Sequence, residues 1–316
     1  MVSGSRLARR SEEEHVQVRW RRNRILTAGK LPGRFAPFIL LLPTLVIISV
    51  FLYYPLIDTV GMSLYDVALL GRIRRFVGLG NYAEVFSAGS IAVVIRTAVI
   101  STLVIVGSMG SALGVAALLN QRIRAAKIYR VMLIWPLALS TAVSGVVFLA
   151  IFNPRFGPVN ALLRTVGLDP QWFIEPRLAQ IVIVVALIWT RFGYNLVFYS
   201  AAYRNLPVEV LEAALVDGAS AWQRFWHVTF PVLSPMTLFL IVTNTSFAFF
   251  DSFAMIHVMT SGGPLGSTTV MIYDVFQQAF QFRRTGFAAA QVMLLFLTVV
   301  GLMVIRLSFA RRRELR

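Results

Sequence analysis

The sequence predicts an all-α integral membrane protein with six transmembrane helices. Hydrophobic residues make up 57% of its 316 residues and charged residues only 14%, where a soluble domain carries about a quarter charged. The deficit gathers in six runs, 36–57, 97–119, 131–152, 178–203, 228–260 and 285–305, interrupted by charge only at Arg191 and Asp251. Each reaches the ~20 residues a helix needs to cross ~30 Å of hydrocarbon.

The basic residues give the orientation. With the N-terminus inside, twenty of the 30 Lys and Arg fall on inner segments and eight on outer ones. Such an excess is the positive-inside signature, with both termini cytoplasmic. It also accounts for the net charge of +16 without a nucleic-acid partner, and it favours contact with anionic membrane lipid.

Taken in order, residues 1–34 read as a cytoplasmic basic tail ending at Pro32-Gly33. A transmembrane region follows over 35–310, with spans near 36–57, 92–119, 130–152, 178–203, 231–259 and 285–309, and 311–316 form a basic end. The first run is too long for a signal-peptide core and lacks an A-x-A exit, so it reads as a retained span. Arg96 opens the second span and is expected to snorkel outward. Gly110 and Gly114 of that span form a GxxxG that permits close helix approach. Pro136 should kink the third span. Asn153 to Pro158 is turn chemistry outside the membrane.

The polar loop 204–230 has its own logic. Pro207 can open a helix, and Glu209 and Glu212 suit the positive end of its dipole. Ala213 and Ala214 keep the helix slim, and Leu211, Ala214 and Leu215 share one face. Asp217-Gly218 ends it, glycine supplying the turn. An amphipathic stretch, Trp222 to Val228, follows, and Pro231 opens the fifth span.

Charge inside the membrane marks candidate function. Arg191 precedes Tyr194 and Asn195 by about one helical turn. In the fifth span Asn244, Ala248, Asp251 and Met255 fall on one face at helical spacing, flanked by Phe247, Phe249 and Phe250. The stripe suits a polar substrate path or a helix–helix hydrogen bond, and Arg191 could pair with Asp251 or meet an anion. No catalytic constellation is present. Neither Lys30 nor Lys127 belongs to a P-loop. There is no G-x-S-x-G elbow and no H-E-x-x-H zinc pattern. There are no cysteines. The chain reads as neither an enzyme nor a metal protein.

Glu212-Ala213-Ala214, Gly218 and Pro231 stand in the register E-A-A-x3-G-x9-I-x-L-P, with Val228 and Phe230 at the two aliphatic places. This resembles the EAA loop of ABC-importer permeases. Tyr54-Pro55-Leu56 and Val77 to Tyr82 resemble the start of the sugar-type, binding-protein-dependent branch. Arg191 to Asn195, Phe247 to Phe253, Thr260 to Pro264, Thr268-Thr269 and Met271 to Tyr273 are similar to the A-type permeases of glycerol-3-phosphate/glycerophosphodiester importers. The resemblance implies a type I ABC-importer permease fold in a bacterial inner membrane, with the EAA helix as a cytoplasmic knob driven by ATPase subunits. It further implies a second homologous permease, two ABC ATPases that carry the ATP and magnesium, and an extracytoplasmic solute-binding protein. No cofactor is expected on this chain. The substrate so implied is glycerol-3-phosphate or a glycerophosphodiester, with a sugar or oligosaccharide as the alternative. A non-transporting scaffold would need no such knob. A proton-coupled carrier would want internal repeats and more buried carboxylates.

Overall fold

The computed structural model describes residues 36–68, 73–120 and 126–314; the basic tail expected over 1–34 lies outside the described residues, as do Arg122 and Arg124. The described chain forms two compact units, one ending at Asp58 and the other beginning at Thr59.

The first unit holds α1 (Ala36–Ile48), a π-helical turn (Ser49–Tyr53) and the start of α2 (Tyr54–Ser63), which continue one into the next. The most apolar stretch of this helix contains no buried residue. Phe51, for example, is 76% exposed.

The second unit opens with a hairpin of β1 (Tyr65–Ala68) and β2 (Ile73–Phe76), antiparallel with Tyr65 opposite Phe76. After α3 (Gly80–Val85) comes α4 (Ile91–Leu119), which packs along α8 (Pro176–Arg204) through Val104, Ile183 and Leu187. In hydrocarbon no hydrophobic drive brings helices together, so close packing and polar contacts must do so. Gly107 supplies the close approach, because a Cβ there would collide with Ile188. Gly110 and Gly114 do not: nothing lies within 4 Å of a Cβ at either. The close approach expected at that GxxxG is therefore not made within this chain.

The third run is two helices, α5 (Ala126–Ile134) and α6 (Thr141–Ile151), joined by a 3-10 turn (Trp135–Ala138) and bent by 106°. Pro136 starts the break. Ser140 completes it by capping α6, its hydroxyl accepting from the Val143 N–H at 3.3 Å. A capped new helix replaces the kinked single span expected from Pro136. The segment after it carries α7 (Pro158–Arg164), held by buried Asn160, which donates to Asp169 at 3.0 Å and to the Pro170 carbonyl at 3.1 Å.

Beyond α8 come α9 (Val208–Val216), α10 (Ala221–Arg224), a π turn (Phe225–Thr229), α11 (Phe230–Ser246), a second π turn (Phe247–Asp251) and α12 (Ser252–Met259). From Ala221 to Met259 they form one helical run of 39 residues. The span expected to open at Pro231 thus begins ten residues earlier. Pro231 follows the π turn, in the first turn of α11. After α13 (Met271–Phe276) and a further π turn, α14 (Thr285–Glu314) closes the described chain. Among the described residues, five helices are long and apolar enough to cross a membrane, and the bent pair would make a sixth.

Candidate functional site

Two regions carry the candidate residues. The first is α9. It starts after Pro207, with Glu209 in its first turn. Its end is a Schellman closure: the Gly218 N–H reaches the Leu215 carbonyl at 3.1 Å and the Ala219 N–H reaches that of Ala214 at 3.0 Å. Gly218 sits at φ +74°, a conformation that closes the turn and that side chains resist. Directly after it Ser220 and Gln223 form a capping box for α10. Leu211 and Ala214 face inward, whereas Glu212, Ala213 and Asp217 are exposed. So are Leu215 at 54% and Val216 at 88%. The result is a short helix closed at its C-terminal end and open to its surroundings.

The second region is a polar seam where α4, α8 and α11 meet. Asn195 and Asn244 exchange amide bonds, Asn244 donating at 2.7 Å and Asn195 at 3.2 Å. Asn195 also donates to Ser108 at 3.1 Å, and Asn244 to the Leu240 carbonyl at 2.7 Å. Both asparagines are fully buried. One turn before Asn195, the Arg191 Nε donates to the Asn244 Oδ1 at 3.1 Å and its Nη2 to the Thr243 carbonyl at 3.3 Å. The guanidinium lies 3.6 Å from the Tyr194 ring centroid and 4.9 Å from that of Phe247. Stacked between two π faces and fixed by two carbonyl oxygens, it is held in one orientation.

The stripe expected from helical spacing is split. Asn244, Ala248 and Met255 are buried, whereas Asp251 is exposed. The π turn over Phe247–Asp251 inserts extra residues into the turn and rotates Asp251 off that face. Asn195 and Asn244 accordingly do not line an open path within this chain; they bond one another. No ion pair joins Arg191 to Asp251, the ion pairs among the described residues being Arg164–Asp169 and Arg284–Glu84. Phe250 packs in the cluster of Met271 and Phe287, while Tyr194 packs with Phe198 and Phe239. Arg96, expected to snorkel, donates to the Thr269 carbonyl at 2.9 Å. Sequence reasoning missed Ser108, whose signal was a hydroxyl within an apolar run, and missed the π turns, which have no local signature here. Among the described residues no cluster of His, Asp or Glu could hold a metal.

Residues 108–314 match the family described as "Binding-protein-dependent transport system inner membrane component". Among curated relatives, the sn-glycerol-3-phosphate transport system permease protein UgpA of Rhizobium meliloti (strain 1021) is 35% identical over 89% of this chain and 97% of its own length. The protein of the same name from Pectobacterium atrosepticum is 33% identical over 88% and 94%. Among solved structures, a bacterial ABC transporter involved in import of the acidic polysaccharide alginate superposes with a TM-score of 0.73 at 22% identity, over 87% of this chain and 94% of that one. The alginate transporter has also been solved in complex with a pentasaccharide-bound periplasmic protein, again with a TM-score of 0.73.

Proposed function

The chain belongs to the family of binding-protein-dependent transport system inner membrane components and is a permease subunit of an ABC importer, and from that premise we propose that its cargo is sn-glycerol-3-phosphate or a glycerophosphodiester. The observation that carries the proposal is the 35% identity over nearly the whole length of a permease named for that substrate. The seam supports it: Arg191 has no carboxylate within ion-pair distance, so its charge is available to a phosphate at the edge of the path, with Tyr194 and Phe247 holding it in place. Phe250 and exposed Asp251 complete the proposed path, Asp251 offering acceptors to glycerol hydroxyls.

The chain works beside a second homologous permease and two ATPase subunits that bind ATP and magnesium, receiving cargo from a solute-binding protein. Both of its termini are cytoplasmic. The helix Val208–Val216 carries the ATPase stroke through Glu212, Ala213, Ala214, Asp217 and Gly218, and the spans rock between inward- and outward-facing states. Uptake of labelled sn-glycerol-3-phosphate by cells lacking this chain tests the substrate. Uptake should vanish, return with the wild-type chain, and be competed by glycerophosphocholine but not by maltose. Competition by maltose alone would refute the assignment.

A further inference from the structure

On the outer half of the membrane body α4 and α8 run side by side in the same direction and leave a groove of about 740 Å³. That is within the ~300–1,000 Å³ typical of ligand sites. Its walls are apolar: Ile95, Val99 and Ile181 are 57%, 52% and 53% exposed. Its outer end is polar and cationic, with Arg96, Arg177 and Gln180, and no carboxylate lines any part of it. Arg96 and Gln180 are held in place by the loop above, through the Thr269 carbonyl at 2.9 Å and the Ser267 carbonyl at 2.7 Å. Arg177 makes no hydrogen bond or ion pair among the described residues. Along α4 the groove runs from Ala92 to Leu103, roughly 16 Å at ~1.5 Å per residue. That length is about half of the ~30 Å hydrocarbon core, or one leaflet.

We propose that this groove binds one anionic glycerophospholipid of the outer leaflet. Its phosphodiester sits on the Arg96 and Arg177 guanidiniums, whose planar forks match phosphate oxygens, and one acyl chain lies between Ile95, Val99 and Ile181. The positive ends of α4 and α8 reinforce the site. Charge complementarity selects a lipid over a protein helix. A transmembrane helix seated here would bury two guanidiniums in a groove without a carboxylate, whereas a phosphodiester neutralises them at headgroup depth.

Native mass spectrometry of the complete importer, purified with added phosphatidylglycerol or phosphatidylcholine, tests the proposal. One phosphatidylglycerol should stay bound to this subunit under activation that strips phosphatidylcholine. Arg96→Gln with Arg177→Gln should lower its retention about thirtyfold, the effect of two lost phosphate contacts. Val99→Trp, which fills the groove and spares both arginines, should lower it as well. Should the double variant disrupt assembly, Arg177→Gln alone, an exposed change, should still reduce retention measurably. Free sn-glycerol-3-phosphate should not displace the lipid. Unchanged retention in the arginine variants would overturn the proposal. So would displacement by free sn-glycerol-3-phosphate, or disulfide trapping of Ile181→Cys to a cysteine on the partner permease, which would make the groove a helix seat.

Discussion

The helix Val208–Val216 and the seam around Arg191 are both polar insertions in an apolar chain, and they are built on opposite terms. The helix is open: Val216 is 88% exposed, and its geometry comes from residues within the segment, a proline before it and a glycine at φ +74° after it. The seam is closed: Asn195 and Asn244 are fully buried, and their bonds join residues 49 apart in sequence. A surface built for a partner can be specified locally. A junction inside a helical body is specified by how the helices meet. Substitutions in the first region should therefore abolish work without harming assembly, and substitutions of the buried Asn195–Asn244 pair should harm assembly first.

Gly218→Pro gives the largest expected effect. Proline cannot adopt the left-handed φ, and it removes the N–H that closes on Leu215. Uptake should fall to the level of cells without the chain, while immunoblots of membranes show normal amounts. Near-normal uptake would show that the knob does not transmit the stroke.

Asn244→Leu probes the other side. It strips partners from Arg191 and Asn195 in a buried site, at an expected ~1–3 kcal/mol. The assembled complex should melt several degrees lower. An unchanged melting temperature would break the contrast. Asp251→Asn sharpens it, because Asp251 belongs by sequence to the seam and by structure to the exposed face. Its thermal stability should stay near wild type while the transport KM changes several-fold. A loss of stability with unchanged transport per molecule would make it structural.

This asymmetry also explains what could be read from the chain. The register from Glu212 to Pro231 and the turn at Gly218 were legible because they need no tertiary information. Arg191, Tyr194 and Asn195 were legible as neighbours because spacings of three and four residues stack on one helix. Asp251 was misplaced because a π turn shifts register without a marker in the sequence. Ser140, capping a new helix, made two helices of a run that composition reads as one. Gly110 and Gly114 had the right spacing for packing, but Gly107 does it, and only the position of Ile188 decides between them.

Topology gives a smaller, independent check. The cysteine-free chain suits single-cysteine labelling. Ser267, in the segment expected outside, is buried, so the probe belongs at Leu265, which is 96% exposed. Leu265→Cys should react with an impermeant maleimide added outside intact spheroplasts, and Ser308→Cys only after lysis. The reverse pattern would invert the orientation.

The smallest effect is expected around α7 and Asp169. Hydrogen bonds from Arg164 first, and then from Asn160, hold the Asp169 carboxyl below the usual aspartate range. A depressed folded pKa means that its contribution is fully present above the unfolded value of ~3.9 and is lost as pH falls through the folded one. Trp172 donates to Asn160 beside it, so Trp172 fluorescence should stay constant down to the ordinary aspartate range and change only below it. Asp169→Asn should remove that transition.

Transport by the purified complex, with its binding protein, in proteoliposomes is the most direct test of the account. Labelled sn-glycerol-3-phosphate should accumulate only with ATP, and Gly218→Pro in this chain should stop accumulation while the complex still assembles. Accumulation of a neutral disaccharide instead, or uptake driven by a proton gradient without ATP, would contradict it.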